Sequence, residues 1–102
     1  MSPLFTMEAP MQIGFISDPA HGWLLVTEEQ MKEVGINAAT FSLYSFHSQE
    51  FRCYALEEDC DAALFLRALD KQGIEYRVNE ESTDDDAFVR SWDRIDRPIK
   101  FG

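Results

Sequence analysis

Apolar and polar positions alternate along the first part of the chain in the manner of a β-hairpin. Residues 11–16 read MQIGFI, which switches between apolar and small or polar side chains, and residues 23–26 form the short apolar run WLLV. Alternation with a period of two is typical of a strand that has one buried face. The intervening residues 17–22 read SDPAHG, and Asp-Pro followed by Gly is turn chemistry. The pattern therefore predicts two strands joined by a turn.

The next segment carries both ends of a helix. Thr27 and Gln30 match a capping box, in which a hydroxyl and a side-chain amide satisfy the first free backbone N–H groups. Gly35 suits the position just after a helix. These signals predict a short helix over residues 28–34.

A longer helix is predicted over residues 60–72. Its apolar residues recur with the spacing i, i+3, i+4 and i+7, which forms a stripe along one face. Asp59 is the predicted cap, and Gly73 is expected to end the helix. The stripe consists of Ala62, Phe65, Leu66 and Leu69.

Three strands and a last helix complete the prediction. Residues 40–46 are rich in aromatic and β-branched residues and predict a strand that pairs as a hairpin with residues 51–56. Residues 74–78 read IEYRV, and their alternation predicts a half-buried strand. Thr83 is expected to cap a short helix over residues 84–92.

The element order β-β-α-β-β-α-β-α indicates an α+β fold with the helices on one face of the sheet. We expect a mixed β-sheet of four to five strands with two to three helices, in a single domain over residues 11–92. Residues 1–10 contain two prolines and no periodic pattern, so they are interpreted as a flexible tail. Residues 93–102 are predicted to be an extended segment. Its docking points are expected at Ile95, Ile99 and Phe101.

Length and composition agree with one small globular domain. The 102 residues are 45% hydrophobic, which suits a single core. No stretch approaches the roughly 20 apolar residues of a membrane-spanning helix. The first eight residues contain no Lys or Arg, so neither a signal peptide nor a transit peptide is expected. Cys53 and Cys60 do not make a disulfide framework, and the expected location is the cytoplasm.

The net charge of the chain indicates which classes of molecule it can bind. The chain has 19 acidic and 9 basic residues, for a formal net charge of −10. Proteins that bind nucleic acid need basic faces that neutralise phosphates, so direct binding to DNA, RNA or an anionic membrane is not expected. A basic protein is the expected partner, because an acidic surface steers such a protein into contact. No cofactor is expected.

Nine of the acids fall in two clusters, at residues 57–61 (EEDCD) and residues 80–86 (EESTDDD). The predicted helix between them is long enough to return the chain to the start of a parallel strand. Strands that run in the same direction end at the same edge of a sheet, so both clusters are expected at one end of the molecule. The predicted partner-binding residues are Glu57, Glu58, Asp59, Asp61, Glu80, Glu81, Asp84, Asp85 and Asp86, with Trp92 as an aromatic anchor.

A simpler explanation of the acids stays open at this point. Carboxylates near helix N-termini interact favourably with the helix dipole, and acidic surfaces aid solubility. These roles leave the adjacent glutamates of each cluster unexplained, because neighbouring like charges repel each other. The clusters are therefore either a binding surface or a product of capping and solubility.

Catalytic and metal-binding signatures are sparse. The sequence contains no glycine-rich phosphate loop, no nucleophile elbow and no zinc-binding set of Cys and His. The paired acids Asp59/Asp61 and Asp84/Asp86 lack the spacing and the glycine of a calcium loop. The acidic neighbours of Cys60 are expected to raise the pKa of its thiol and so to oppose nucleophilic chemistry.

A second hypothesis places a small enzyme active site or a ligand-binding pocket beside the first turn. Asp18, His21 and Trp23 lie close together there, and an Asp–His pair is a common acid–base arrangement. The same residues also fit a plain turn that is stabilised by a hydrogen bond. An enclosed cavity beside His21 would favour the pocket.

Four segments resemble a group of short proteins of phage, plasmid and bacterial genomes. They are residues 18–24 (DPAHGWL), 44–45 (YS), 56–61 (LEEDCD) and 85–90 (DDAFVR). The group carries a DPGHGW-like segment, an LEEDCD-like segment and a DSFIR-like segment. Ala20 stands where the group has Gly, so a turn of different shape is expected here. The resemblance implies a mobile-element setting and brings no activity or site residue with it.

The leading hypothesis is a small non-enzymatic protein that binds a protein partner through an acidic surface. In a mobile-element setting its concrete form is an anti-defence inhibitor, similar to an anti-CRISPR protein. Its carboxylates would take the places of nucleic-acid phosphates, which supply one charge per about 1.7 Å of duplex DNA. The expected target is the basic channel of a nucleic-acid-binding effector.

Overall fold

The computed structural model describes residues 9–42 and 45–94. Most of the predicted N-terminal tail lies outside these residues, as do the predicted docking points near the C-terminus. The described chain forms a mixed six-stranded sheet with two α-helices. The α+β class is therefore confirmed, with six strands in place of the predicted four to five.

The first hairpin lies where the sequence predicts it. β1 (Met11–Ser17) and β2 (Gly22–Thr27) pair in antiparallel register. The turn between them closes through the backbone N–H of Asp18, which donates to the carbonyl of His21 at 2.9 Å. Short-range pattern and turn chemistry were sufficient to specify this unit.

α1 (Glu28–Val34) begins and ends where the capping signals predict. The Thr27 hydroxyl accepts a hydrogen bond from the backbone N–H of Gln30, and the Gln30 side-chain oxygen accepts one from the N–H of Thr27, both at 3.0 Å. The Gln30 amide also donates to the Gln12 carbonyl at 2.9 Å, which ties α1 to β1. Gly35 ends the helix at a φ of 82°, a conformation that is strained for residues with a Cβ.

Replacing Thr27 with Ala is expected to lower the free energy of unfolding by about 1 kcal/mol, because the capping box loses its hydroxyl acceptor. For a domain of this size the melting temperature should fall by about 4–8 °C in a calorimetric scan. Thr40→Ala is the matched control, since Thr40 is an exposed threonine that caps neither α-helix. Equal losses in the two variants would contradict the role given to the capping box.

The second hairpin is displaced toward the C-terminus. β3 (Phe46–Ser48) and β4 (Cys53–Glu57) pair in antiparallel register, as predicted for two neighbouring strands. The predicted strand over residues 40–46 is wrong in most of its described part, because a 3-10 helix (Ala38–Thr40) occupies its start. Residues 43–44 of that prediction lie outside the described residues.

Hydrogen bonds to side chains replace a strand ladder in this segment. The Asn37 side-chain oxygen accepts from the N–H of Ala39 at 2.8 Å and starts the 3-10 turn. Asp61 then accepts from the N–H and the hydroxyl of Ser42 and from the hydroxyl of Ser45. Such local bonds compete with sheet pairing, which is why strand propensity failed as a guide here.

α2 (Asp61–Gln72) and β5 (Tyr76–Ser82) follow. α2 differs from the prediction in its N-cap, and β5 differs in its bounds. The Asp59 cap is wrong, because Cys60 occupies the N-cap position and no side chain caps the helix. Gly73 ends α2 at a φ of 69°, as expected. β5 continues to residue 82 because it pairs in parallel with the whole of β1.

The predicted helix over residues 84–92 is wrong. The chain there forms a 3-10 helix (Phe88–Ser91) and then β6 (Asp93–Arg94), which pairs with β3. Ala87 takes the N-cap position, and its N–H donates to the side chain of Asp18 at 2.9 Å. This contact ties the start of the segment to the distant first turn.

The sheet has the order β5-β1-β2-β4-β3-β6. Only the β1–β5 pair is parallel, and the other four pairs are antiparallel. β4 and β5 therefore run in the same direction, as predicted for the strands that flank the long helix. They are not neighbours, because β1 and β2 lie between them.

Both faces of the sheet bury apolar side chains. α1 and α2 cover one face, and residues 87–92 cross the other. The core under the helices consists of Ile13, Leu24, Val26, Met31, Val34, Phe41, Leu56, Ala62, Phe65 and Leu69. The second core consists of Ile16, Trp23, Phe46, Ala55, Ala87 and Val89.

Candidate functional site

The two acidic clusters lie at one end of the sheet. One cluster begins at the last residue of β4, the other ends β5 and continues beyond it, and both strands finish at this edge. The turn between β1 and β2 lies between them. On one side the Glu58 N–H donates to the Gly22 carbonyl at 3.0 Å, and on the other the Thr83 N–H donates to the Ser17 carbonyl at 2.9 Å. The clusters therefore flank a common turn.

Burial divides the nine predicted contact residues into two groups. Glu57 is 6% exposed and Asp61 is 2% exposed, so neither can form a surface contact. Asp61 instead holds Ser42 and Ser45, and Glu57 lines a cavity. The other seven are exposed, and we name them the acidic end: Glu58, Asp59, Glu80, Glu81, Asp84, Asp85 and Asp86.

Helix capping does not explain the acidic end. Asp59 makes no capping hydrogen bond to α2. The Thr83 hydroxyl accepts from the N–H of Asp85 at 3.2 Å, but no α-helix follows it. Glu80 and Glu81 lie on β5 at the outer edge of the sheet, where charges also discourage edge-to-edge association. Side-chain capping of α-helices therefore does not account for these acids, although Glu58 and Asp59 lie just before the N-terminus of α2.

The side chain of Asp18 links the turn between β1 and β2 to residues 87–92, which cover the second core. Its buried carboxylate accepts from the N–H groups of Ala20 at 3.0 Å, His21 at 2.9 Å and Ala87 at 2.9 Å. Arg90 adds a two-bond pair, Nε to Oδ2 at 2.6 Å and Nη2 to Oδ1 at 3.1 Å. The Arg90 guanidinium, followed by these backbone N–H groups, holds the pKa of Asp18 well below its usual range. Asp18 contacts the backbone of His21, not its ring, so it is a positioning residue.

A cavity of about 290 Å³ opens beside His21. Its apolar side is formed by Trp23 and Phe46, which are 2% and 7% exposed. The guanidinium of Arg90 lies 5.0 Å from the centroid of the Trp23 ring, and that of Arg94 lies 5.2 Å from the centroid of Phe46. The indole N–H of Trp23 is the one buried side-chain donor without a partner among the described residues. The second hypothesis names an enclosed cavity beside His21, whereas the cavity at this place is open to solvent.

The other side of the cavity is acidic. Glu57 lies directly opposite Trp23 in the register of β4 and β2. Its Oε1 accepts the N–H of Asp59 at 3.0 Å, and its Oε2 lies 3.7 Å from Nδ1 of His21. Arg90 and Arg94 lie across the cavity from this buried carboxylate.

Cys60 lines the same cavity but is not an activated nucleophile. Desolvation raises the pKa of its thiol, and the carboxylates of Glu57, Asp61 and Asp59 raise it further. A thiol of raised pKa stays protonated at neutral pH and attacks poorly. The cavity is therefore better suited to binding than to nucleophilic catalysis.

Trp92 does not belong to the acidic end. Its ring lies 6.1 Å from that of Phe51 and 5.6 Å from that of Phe88. Phe51 precedes β4, whereas Glu58 follows it, and a strand of this length spans about 17 Å. The predicted aromatic anchor therefore belongs to a separate surface cluster with two exposed phenylalanines.

The pocket hypothesis named His21 and Trp23 but not the other six residues that line the cavity, which are Phe46, Glu57, Asp59, Cys60, Arg90 and Arg94. Strand alternation could have indicated that Glu57 is buried, because Glu57 lies two residues after Ala55 and therefore on the same face of the sheet. No local signal marked Arg90, because its partner Asp18 lies 72 positions away in the chain.

The described part of the chain contains no group of three or more His, Cys, Asp or Glu side chains arranged to hold a metal ion. None of its helices is both long and apolar enough to cross a membrane.

No protein family, curated protein or solved structure matches this chain. The resemblance to short phage, plasmid and bacterial proteins therefore stays a prediction. In the structure, three of the segments that carry it meet around the first turn and the cavity. They are residues 18–24, 56–61 and 85–90.

Proposed function

We propose that this protein binds a basic surface of a protein partner through its acidic end. The observation that carries the proposal is the common edge, where seven exposed carboxylates flank one turn that Asp18 holds in place. Closely spaced like charges repel one another and destabilise the free protein, and a docked cationic surface relieves that repulsion. The same charges speed encounter with a basic partner.

The spacing of the carboxylates suits a partner surface that normally holds phosphates. Three strand spacings separate β4 from β5, which corresponds to about 14 Å. Duplex DNA carries about eight charges over that length. The seven carboxylates of the acidic end therefore give a comparable charge density. A basic groove or channel is the surface that they fit.

A cleft at the acidic end offers a place for a basic side chain. It has a volume of about 540 Å³ and lies between the first turn, at Pro19 and Ala20, and the acidic residues 84–86. Asp84, Asp85 and Asp86 are exposed, so they present carboxylates to an incoming lysine or arginine. The cleft is open, as a surface that receives part of a larger partner should be.

Reversing the charges of Glu58, Glu81 and Asp85 together, each to Lys, is expected to weaken binding to a basic probe by about tenfold or more. A fluorescently labelled decalysine peptide serves as the probe, and anisotropy measures its affinity. Binding by the unchanged protein should also weaken steeply as salt rises, because screening shortens the reach of exposed charges.

The control variant carries the same change in net charge at the opposite end of the molecule. Glu33, Asp70 and Glu75 are exposed and lie near the far ends of α1 and α2 and before β5. Their replacement by Lys should reduce decalysine affinity much less. Equal losses in the two triple variants would mean that net charge alone attracts the probe, and the acidic end would lose its assigned role.

A further inference from the structure

The outer edge of β5 is the longest unpaired strand edge among the residues that the structure describes. β5 has seven residues and ends the sheet on one side, whereas the other side ends at β6, which has two. An edge strand offers a row of backbone N–H and C=O groups to any strand that can pair with it. β5 is therefore a candidate interaction surface.

The hydrogen bonds to β1 show which backbone groups of β5 face outward. The Glu75 carbonyl accepts from the N–H of Met11 at 2.9 Å, and the Thr83 N–H donates to the Ser17 carbonyl at 2.9 Å. Odd-numbered residues therefore face β1, because successive residues of a strand direct their backbone groups to opposite sides. The even-numbered residues of β5 present their N–H and C=O groups to the outside: Tyr76, Val78, Glu80 and Ser82.

The side chains of β5 divide between the two faces of the sheet. Tyr76 and Val78 pack against the core under the helices. Arg77, Asn79 and Glu81 therefore lie on the opposite face, and all three are exposed. In the described part of the chain, neither Arg77 nor Glu81 forms an ion pair. They cannot pair with each other, because four residues of an extended strand separate them by about 13 Å.

A second copy of β5 in antiparallel orientation complements these charges. When the two-fold axis passes through Asn79, Arg77 of each copy lies opposite Glu81 of the other. Even-numbered residues then face even-numbered residues, so outward N–H groups meet outward C=O groups across the contact. Arg77 and Glu81 occupy the positions without hydrogen bonds, where facing side chains approach most closely. The strand is therefore complementary to itself in both backbone and charge.

The neighbouring registers are opposed by pairs of acids. Moving the axis to Val78 places Glu81 opposite Glu75 of the second copy, and moving it to Glu80 places the two copies of Glu80 opposite each other. Acids on an edge strand discourage pairing of this kind. An axis between two residues sets outward backbone groups against inward ones, so no ladder forms. The charges of β5 therefore select one register.

We propose that two copies of this chain pair through β5, with the two-fold axis at Asn79, and join their sheets into one continuous sheet. Such a contact is closed, because each copy uses the same strand. A single strand edge buries less area than a typical stable interface, and two chains of net charge −10 repel each other. The dimer is therefore in equilibrium with the monomer. It does not depend on the proposed function of the acidic end.

The first test measures the mass of the unchanged protein by sedimentation equilibrium at concentrations up to roughly 1 mM. The average mass should rise toward that of a dimer as the concentration increases, and a monomer at every concentration would overturn the proposal. Amide hydrogen exchange then locates the contact. Val78 and Glu80 should gain protection at high concentration, whereas Arg77 and Glu81 already face β1 and should change little. Protection gained away from β5 would also overturn the proposal.

Charge reversal tests the register. Arg77→Glu sets two acids opposite each other at both ends of the contact and should weaken the dimer by about tenfold. Arg67→Glu is the matched control, because Arg67 is exposed on α2 and the change in net charge is the same. Combining Arg77→Glu with Glu81→Arg restores two opposite charges and should restore the dimer. Failure of the double variant to recover, or an equal loss in the control, would refute this register.

A third comparison tests the backbone ladder. Glu80→Pro removes an N–H group that faces outward, so the bonds between β5 and β1 stay intact and the monomer should fold. The dimer should weaken by about tenfold or more, because the proline cannot donate across the contact. Glu80→Ala loses the same charge but keeps the N–H, and its dimer should be at least as stable as that of the unchanged protein. Equal dimerisation of the two variants would refute strand pairing at this edge.

Discussion

Asp18→Asn should give a larger fall in melting temperature than Thr27→Ala and should release the chain that covers the second core. The substitution keeps the shape of the side chain but removes the charge, so Arg90 loses its anion in a half-buried position. An amide has one oxygen acceptor where the carboxylate has two, so the bonds to the N–H groups of His21 and Ala87 cannot all persist. Hydrogen exchange at residues 87–92 should become faster than in the unchanged protein.

The pH dependence tests whether the charge of Asp18 stabilises the folded protein. Because the pKa of Asp18 is lowered in the folded protein, its contribution to stability is fully present above the unfolded value of about 3.9. That contribution is lost as the pH falls toward the folded value. The difference in melting temperature between the unchanged protein and Asp18→Asn should therefore be constant above about pH 5 and should shrink below about pH 4. A difference that stays constant in acid would mean that the ionisation of Asp18 does not stabilise the segment.

Asp70→Asn is the control for this prediction. Asp70 is an exposed aspartate on α2, so its replacement should leave the melting temperature and the exchange of residues 87–92 unchanged. A comparable effect of the two substitutions would point to the loss of negative charge in general. The ion pair of Asp18 would then have no special role.

Local signals explain which parts of the fold the sequence predicts well. The capping box at Thr27 and Gln30 and the glycines Gly35 and Gly73 act within a few residues, and each defines a helix end in the structure. The first hairpin likewise depends on one turn and two alternating runs. The common direction of β4 and β5 follows from the length of α2, which returns the chain to the opposite edge.

Long-range contacts explain what the sequence does not predict. β5 pairs with β1, more than sixty positions away, and no pattern within either strand indicates this partner. Asp18 selects a 3-10 helix after Ala87 where local propensity favours an α-helix. Asp61 similarly gathers Ser42 and Ser45 and displaces a predicted strand. In each case a distant hydrogen bond outweighs a local preference.

The candidate site likewise has features that the sequence predicts and features that depend on long-range contacts. The sequence predicts that both acidic clusters share one end of the molecule, because that follows from strand direction. It does not predict that Glu57 and Asp61 turn inward, since a carboxylate in an acidic run is normally exposed. The cavity arises because the register of β2 and β4 places Glu57 opposite Trp23. The pattern of buried residues on all the paired strands determines that register.

Trp23→Ala should lower the free energy of unfolding by about 3–5 kcal/mol, the usual cost of emptying a large buried aromatic site. Trp23 is 2% exposed, packs 6.1 Å from the ring of Phe46 and supports the guanidinium of Arg90. The melting temperature should fall by roughly 12 °C or more. Trp92→Ala is the matched control, because Trp92 is only half-buried and should lose clearly less.

Trp23→Phe isolates the indole N–H, which has no hydrogen-bond partner among the described residues. Phe keeps a ring in the second core, and the donor that it removes has no hydrogen bond to lose. The variant should therefore be much less destabilised than Trp23→Ala in chemical denaturation, because removing an unsatisfied buried donor offsets part of the lost packing. If the two variants are equally destabilised, the N–H has an acceptor in solution. Bound water or a ligand group in the cavity would then be part of the folded protein.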